Sequence, residues 1–329
     1  MTLPTRLSYG FVLLLLIAAD YLSVATPLVT VFFSYFALRK LDLGERKWVG
    51  VGLFLIVLTA IGFGFTFFFK QAIIALPGMA ETTIPVVLGW AEKQGIELPF
   101  ADFESLRLLA LNAVKSRLGG LGAYAGVTLV QTAAVIIGVV VAISLFLDSR
   151  FDLQTDDPAQ SHNLYSATGR AISARFGTLY ESFATVMGAQ IVISAINTML
   201  TAAFLLIVGF PNALVLIGIT FLCGLLPIIG NLISNTIIVA VAFTIAPQTA
   251  LMALVFLVVL HKFEYFLNSK IVGDRIQNPM WLTLIGILVG EKLMGIPGMI
   301  LAPVVLHYIK VEGKRSYVTP ELAKDAQPS

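Results

Sequence analysis

The chain has 329 residues, 58% of them hydrophobic and 12% charged, with a mean hydropathy of +0.91. Soluble domains carry about 25% charged residues, so long apolar runs with this few charges exclude a soluble globule and indicate an all-α polytopic membrane protein. A net charge of +2 argues for neither a nucleic-acid nor an acidic partner, and a single cysteine, Cys223, excludes an internal disulfide.

An apolar run follows Arg6 with no small-x-small cleavage site before more apolar sequence, so it reads as a retained segment. Residues 7–38 are apolar but interrupted by Ser23-Val24-Ala25-Thr26-Pro27. A crossing needs roughly 20 residues, so this stretch is either one kinked span or two half-spans in a re-entrant hairpin. Arg39, Lys40, Arg46 and Lys47 place the next loop in the cytoplasm. Residues 48–69 read as a span leading outward, which closes a first region of hairpin and span over residues 1–69.

Residues 70–117 change character, with five Lys/Arg, five Asp/Glu and turn signals at Pro77-Gly78. Leu106, Leu109, Ala110, Ala113 and Leu118 follow helical spacing, so short amphipathic helices outside the bilayer are expected. Residues 118–147 read as a returning span. Residues 148–183 read as a cytoplasmic loop followed by an amphipathic helix, and residues 184–211 as a span containing Gln190 and Asn197.

Residues 212–310 hold a second hairpin and the C-terminal spans. Residues 212–244 are apolar but broken by Leu226-Pro227-Ile228-Ile229-Gly230-Asn231. Proline removes a helix donor and glycine favours other backbone, and in hydrocarbon such a break must be buried in protein or line a wet cavity. Residues 249–268 span inward. Residues 281–309 are interrupted at Gly290-Glu291-Lys292 and Gly295-Ile296-Pro297-Gly298, and form one span or two; two would put the C-terminus inside with the N-terminus. Glu291 and Lys292 read as a neutralised pair in a turn. Residues 311–329 are expected to be a disordered cytoplasmic tail.

The two interrupted segments have their prolines 200 residues apart, and the same shift places Leu22 on Leu222, Leu28 on Ile228 and Val29 on Ile229. Three full spans lie between them, so the second unit would be inverted relative to the first. Paired interrupted segments in corresponding halves point to a transporter substrate site; the alternative is two Pro-kinked helices that are alike because apolar sequences are alike. On the first reading Thr26, Pro27, Pro227, Gly230, Asn231 and Asn235 are the substrate-binding candidates, with freed backbone groups at both breaks contributing.

Ionisable residues in a span cost about 2.5–3.5 kcal/mol on insertion scales. Asp20 therefore binds a cation or proton, or is a carboxylate at a helix end near the interface. Asn231 and Asn235, four apart, either contact a polar ligand or cross-link helices. His261 and Glu264 share a helical face with Asn268; they relay protons, or they are interfacial anchors together with Lys262. No His, Cys and acidic spacing makes a metal site, and neither a phosphate-binding Gly-rich loop nor a Gly-x-Ser-x-Gly elbow is present. No cofactor, ATP hydrolysis or enzymatic step is expected.

The run Leu225-Leu226-Pro227-Ile228-Ile229-Gly230, then Asn268-Ser269-Lys270-Ile271-Val272-Gly273, then residues 286–290, Gly295-Ile296-Pro297-Gly298 and Ala302-Pro303 resembles the autoinducer-2 exporter (AI-2E) family of transporters. Pro27 and Arg39-Lys40 fit the same pattern. Three positions depart from it: Asn231 where a proline commonly follows the break glycine, Asn268-Ser269 before Lys270, and Asn278-Pro279-Met280 in place of a Leu-His-Pro-like element. The resemblance implies a multi-span inner-membrane protein without ATPase activity, working as a homo-oligomer, a pentamer. Members are linked to export of the autoinducer-2 signal, to sodium/proton antiport, or to no known substrate. A secondary transporter of a small polar solute or cation is thus expected; the alternative is a channel-like oligomer or a scaffold presenting residues 70–117.

Overall fold

The computed structural model describes all residues except 1, 23, 45, 96–103, 106–107, 109–120, 149–163, 227–228, 273–278 and 326–329, and only the backbone of 121–128, 265, 268–272, 280 and 315–325. The described residues form ten helices: α1 (Leu3–Tyr21), α2 (Ala25–Lys40), α3 (Lys47–Lys93), α4 (Leu121–Leu147), α5 (Leu164–Val208), α6 (Ala213–Gly224), α7 (Ile229–Ile245), α8 (Pro247–Val272), α9 (Met280–Met294) and α10 (Ile296–Asp325). Among the described residues, five stretches are long and apolar enough to cross a membrane: Leu3–Tyr21, Lys47–Lys93, Leu129–Leu147, Leu164–Val208 and Pro247–Glu264. This is an all-helical, polytopic membrane protein.

Three expectations are corrected here. The turn at Pro77-Gly78 does not form, because α3 runs through both Pro77 and Pro85. A helical proline costs roughly 3 kcal/mol, and the helix continues because this part of α3 is packed, with Met79 in the core of the second unit and Ala75 against it. The amphipathic segment before residue 184 is not separate from the span that follows, because α5 is one helix from Leu164 to Val208. At 1.5 Å per residue α3 and α5 are about 70 Å long, over twice the hydrocarbon thickness, so both project beyond it. The tail after residue 310 continues α10 as far as Asp325. The loop expected after Asp148 and most of the amphipathic stretch after residue 95 lie outside the described residues.

Two compact units are built from these helices. The first is Met1–Ile56, Gln131–Gly188 and Asp274–Ser329; the second is Val57–Val130 and Ala189–Gly273. In the first, Val12 of α1 and Val29 and Phe32 of α2 pack with Leu179, Phe183 and Met187 of α5 and with Leu301 and Val304 of α10. Phe183 anchors this core, 5.1 Å from the Phe32 ring and edge-on to Phe33 at 4.9 Å. A smaller core joins Leu38, Val51, Phe54, Ala142 and Phe146.

The first interruption lies at residues 22–24, ahead of Pro27, which is the third residue of α2. The first turn of a helix has no intrahelical use for its N–H groups, so a proline there fits without loss. The chain does not fully let go of α1 at the break, since Val24 N–H donates to Ala19 O at 2.9 Å. α1 and α2 make few direct contacts and share α5 and α10 as neighbours. α4 crosses the start of α2 at Gly138, where a β-carbon would lie 2.7 Å from Thr30 Cβ and 2.9 Å from Pro27 O.

Residues 281–309 are two helices and not one. Gly295, with φ +64°, turns the chain between α9 and α10, and the pair packs back on itself. Gly290 and Gly298 meet backbone to backbone, and a β-carbon on either would overlap the other's carbonyl. Glu291 and Lys292 sit in the last turn of α9 and not in a turn between helices.

The second unit packs α6, α7 and α8 as consecutive neighbours, with Ala246 alone between α7 and α8. Its core brings Leu216, Ile238, Val241, Ala242, Ala253 and Leu257 together with Leu205 of α5 and Met79 of α3. Phe204 and Phe256 stack face to face at 4.3 Å. Gly209 (φ +79°) and Asn212 (φ +52°) supply the turn from α5 into α6.

Candidate functional site

The site is built on the second interruption. α6 has 12 residues and α7 has 17, both short of a full crossing, and they pack against each other as a hairpin. Two glycines make that approach close. Gly230 is buried with its α-carbon on the Cys223 carbonyl, leaving no room for a side chain, and a β-carbon on Gly224 would lie 2.5 Å from Ser194 Oγ. Gly230, expected to meet substrate, therefore also has a packing role that only glycine fills. Pro227 lies outside the described residues.

A helix that stops inside protein leaves carbonyls to be satisfied. At the end of α6 each one is accounted for. Phe221 O accepts from Ser194 Oγ at 3.0 Å, and Gly224 O accepts from Gln190 Nε2 at 2.6 Å. Leu222 O and Cys223 O accept from the Leu225 and Leu226 N–H groups at 3.3 and 2.8 Å. The sequence suggested that carbonyls freed by this break would face a ligand; α5 side chains and a tightened last turn close these four instead.

What remains open to chemistry is a group of side chains just beyond the break. Asn231, in the first turn of α7, donates from Nδ2 to Glu264 Oε2 on α8 at 2.6 Å. The Glu264 side chain is 14% exposed, and His261 Nδ1, one turn earlier, stands 4.0 Å from the same oxygen with its ring 58% exposed. The side chain of Asn197 on α5 also reaches the Glu264 carboxylate. Glu264 is thus a largely buried carboxylate bonded by the Asn231 amide and faced by Asn197, with an imidazole on its open side. Ser234 Oγ donates back to Asn231 O at 3.3 Å, fixing the turn that carries Asn231. Asn235 lies one turn further along α7, half-buried.

Thr26, Pro27 and Asp20 belong to the first unit and are half-buried, and Thr26 O accepts from Thr30 Oγ1 at 2.8 Å. Gln190, Ser194 and Asn197 were not singled out as site residues, although a signal for them is present. With Thr201 they recur at steps of four, three and four, a polar stripe on one face of an otherwise apolar helix.

A second polar cluster sits in the first unit. Glu312 of α10 accepts from Tyr9 Oη at 2.8 Å and pairs with the Arg175 guanidinium of α5, which lies over the Tyr9 ring 4.5 Å from its centroid. The Glu312 side chain is 5% exposed. Glu312 lies past the apolar stretch that ends at Ile309. Burial alone would raise its carboxyl, but the hydrogen bonds from Tyr9 and Arg175 and the charge of Arg175 outweigh that and hold it below the usual 4.5. Position 312 fell in an expected disordered tail and Arg175 in an expected surface helix, which hid this buried network that ties α1, α5 and α10 together.

Comparison with known proteins is consistent over nearly the whole chain. The model of the AI-2E family transporters matches residues 5–313. Over 131 residues the chain is 30% identical to "Putative transport protein YdbI" of Bacillus subtilis (strain 168), a stretch covering 39% of this chain and 37% of that protein. The match therefore spans little more than a third of that relative's length.

Proposed function

The chain belongs to the AI-2E family of transporters, and on that basis we propose that it is a secondary transporter, an exporter or antiporter of a small polar solute or cation working by alternating access. The observation that carries this reading is the Asn231–Glu264 hydrogen bond of 2.6 Å. It joins the helix that starts at the break to the full-length span α8. An ionisable group in a span costs about 2.5–3.5 kcal/mol, and here the Asn231 amide offsets part of that cost. A proton or cation taken up by Glu264 competes with the Asn231 amide for the same oxygen. The occupied carboxylate would then hold α7 less tightly, so the ligand binds the two arrangements with different affinity, which is what a conformational cycle requires.

In this scheme Glu264 couples, Asn231 contacts the solute, His261 stands at the wet mouth, and Asn235 extends the same face of α7. Gly230 permits the close approach of α6 and α7, and Pro227 remains a candidate from the sequence. Asp20 with Thr26 and Pro27 is a separate candidate for cation contact within the first unit. Placement in the inner (cytoplasmic) membrane with both termini cytoplasmic, and assembly as a homo-oligomer, a pentamer, belong to the same proposal.

The test is uptake by proteoliposomes across a panel of solutes, with and without proton and sodium gradients. Saturable, gradient-dependent flux that disappears in both Asn231→Ala and Glu264→Gln supports the reading. Gradient-independent, non-saturable flux would make the protein a channel, and undiminished flux in both variants would remove this site.

A further inference from the structure

The polar stripe on α5 divides into two halves. Gln190 and Ser194 are spent on the α6 carbonyls. The half beyond them is not. Asn197 is 5% exposed and Thr201 0%, and Asn197 Oδ1, Thr201 Oγ1 and the neighbouring Thr198 Oγ1 meet no hydrogen-bond partner among the described residues. A threonine inside a helix commonly returns its hydroxyl to the carbonyl four residues back, as Thr220 does to Leu216 O at 2.8 Å. Thr198 and Thr201 do not, which leaves two hydroxyls and an amide oxygen unspent on adjacent turns of one helix.

Residues three and four apart have β-carbons roughly 5–6 Å from each other, a gap that one water bridges. Hydroxyls that donate or accept, next to an amide oxygen that accepts, are the partners an internal water needs for its usual two to four hydrogen bonds. The same Asn197 side chain faces Glu264. We propose that Asn197, Thr198 and Thr201 bind internal water beside Glu264, and that this water carries protons to the buried carboxylate along the α5 face.

In the loading step an O–H bond forms on Glu264 as one breaks on the adjacent water, which is reprotonated from the aqueous side; discharge is the reverse. The groups facing Glu264 are then Asn197 from α5, Asn231 from α7 and, on α8 itself, His261 at 4.0 Å, the one titratable neighbour among the described residues. The proton route rests on Glu264 as the coupling carboxylate, whereas the water pocket stands on the α5 side chains alone.

Two measurements on the full-length protein decide it, and neither requires flux. Thr201→Val keeps the shape and removes the hydroxyl. If the hydroxyl holds water, Tm falls by roughly 2 °C; if it is dry, deleting an unsatisfied buried group raises Tm, which overturns the proposal. Thr201→Cys in a Cys223→Ser background places an infrared-visible S–H at the same point, with Leu205→Cys, equally buried on α5, as reference. The expected result is rapid loss of the S–H band of Thr201→Cys in D2O while the Leu205→Cys band persists; equal persistence overturns the proposal. A flux defect in Glu264→Gln bears on the transport reading and not on this one.

Discussion

Gly230 rests its α-carbon against the carbonyl of Cys223, so that a β-carbon there would overlap the oxygen. The neighbour is backbone at the end of α6, not the tip of a flexible side chain, so it has no rotamer by which to yield. Gly230→Ala should therefore push α6 and α7 apart. Overpacking of this kind costs typically about 1–3 kcal/mol, and the upper end is expected here. Thermal melting in detergent checks it, with Gly62→Ala as control because a β-carbon at Gly62 meets nothing within 4 Å.

Gln190 is the side chain that closes the Gly224 carbonyl at 2.6 Å. Gln190→Leu keeps most of the volume and orphans that carbonyl, which should cost about 1–3 kcal/mol. Gln190→Glu should also fail, because a carboxylate offers no N–H to the carbonyl. Both effects are read as a fall in Tm, and a variant as stable as the parent would show that α5 does not hold the break.

Asn231 and Glu264 should behave as one unit. If flux needs their hydrogen bond, Asn231→Ala and Glu264→Ala each abolish it, and the double variant is no worse than either single one, since contacting residues are not additive. Reconstituted flux of whichever solute the panel identifies measures this. Losses that multiply in the double variant would mean that the two residues act separately.

Glu312 pairs with Arg175 in a nearly closed site. Removing one partner of a buried pair costs about 3–5 kcal/mol because the other charge is left uncompensated, so Glu312→Ala should be strongly destabilised, as a fall in Tm will show. Replacing both residues together should recover much of that loss.

The same pair sets a pH dependence. The Glu312 carboxyl is held below its ordinary 4.5, so the folded state binds its proton more weakly than the unfolded state does. Its contribution is full above the ordinary carboxylate range and is lost as pH falls through the lowered value. Melting of the parent should be flat in this respect near neutrality and weaken in acid, and Arg175→Met should remove part of the acid-side loss.

Membrane class, the two interruptions and the helical nature of the chain were legible because composition and proline–glycine punctuation act locally. The hydrocarbon core leaves an apolar segment few options but to be a helix. Tertiary packing defeated local punctuation at Pro77, where the signal for a turn sits inside an unbroken α3 whose Met79 is part of the second core. Near Pro27 the break was correctly sensed but falls at residues 22–24, since proline is comfortable in the first turn that follows a break.

Partnership was a different matter. Asn231 was visible as a polar residue beside a break, and Glu264 as a carboxylate in an apolar helix, but nothing in their order says that they meet across 33 positions. Gln190 and Ser194 looked like polar residues scattered in a span until α6 was seen to end against them. Arg175, in the expected amphipathic helix, and Glu312, in the expected disordered tail, are 137 positions apart and meet only in the fold. Apolar helices resemble one another so closely that sequence can state which residues must be satisfied; only the packing of one helix on the next decides by which.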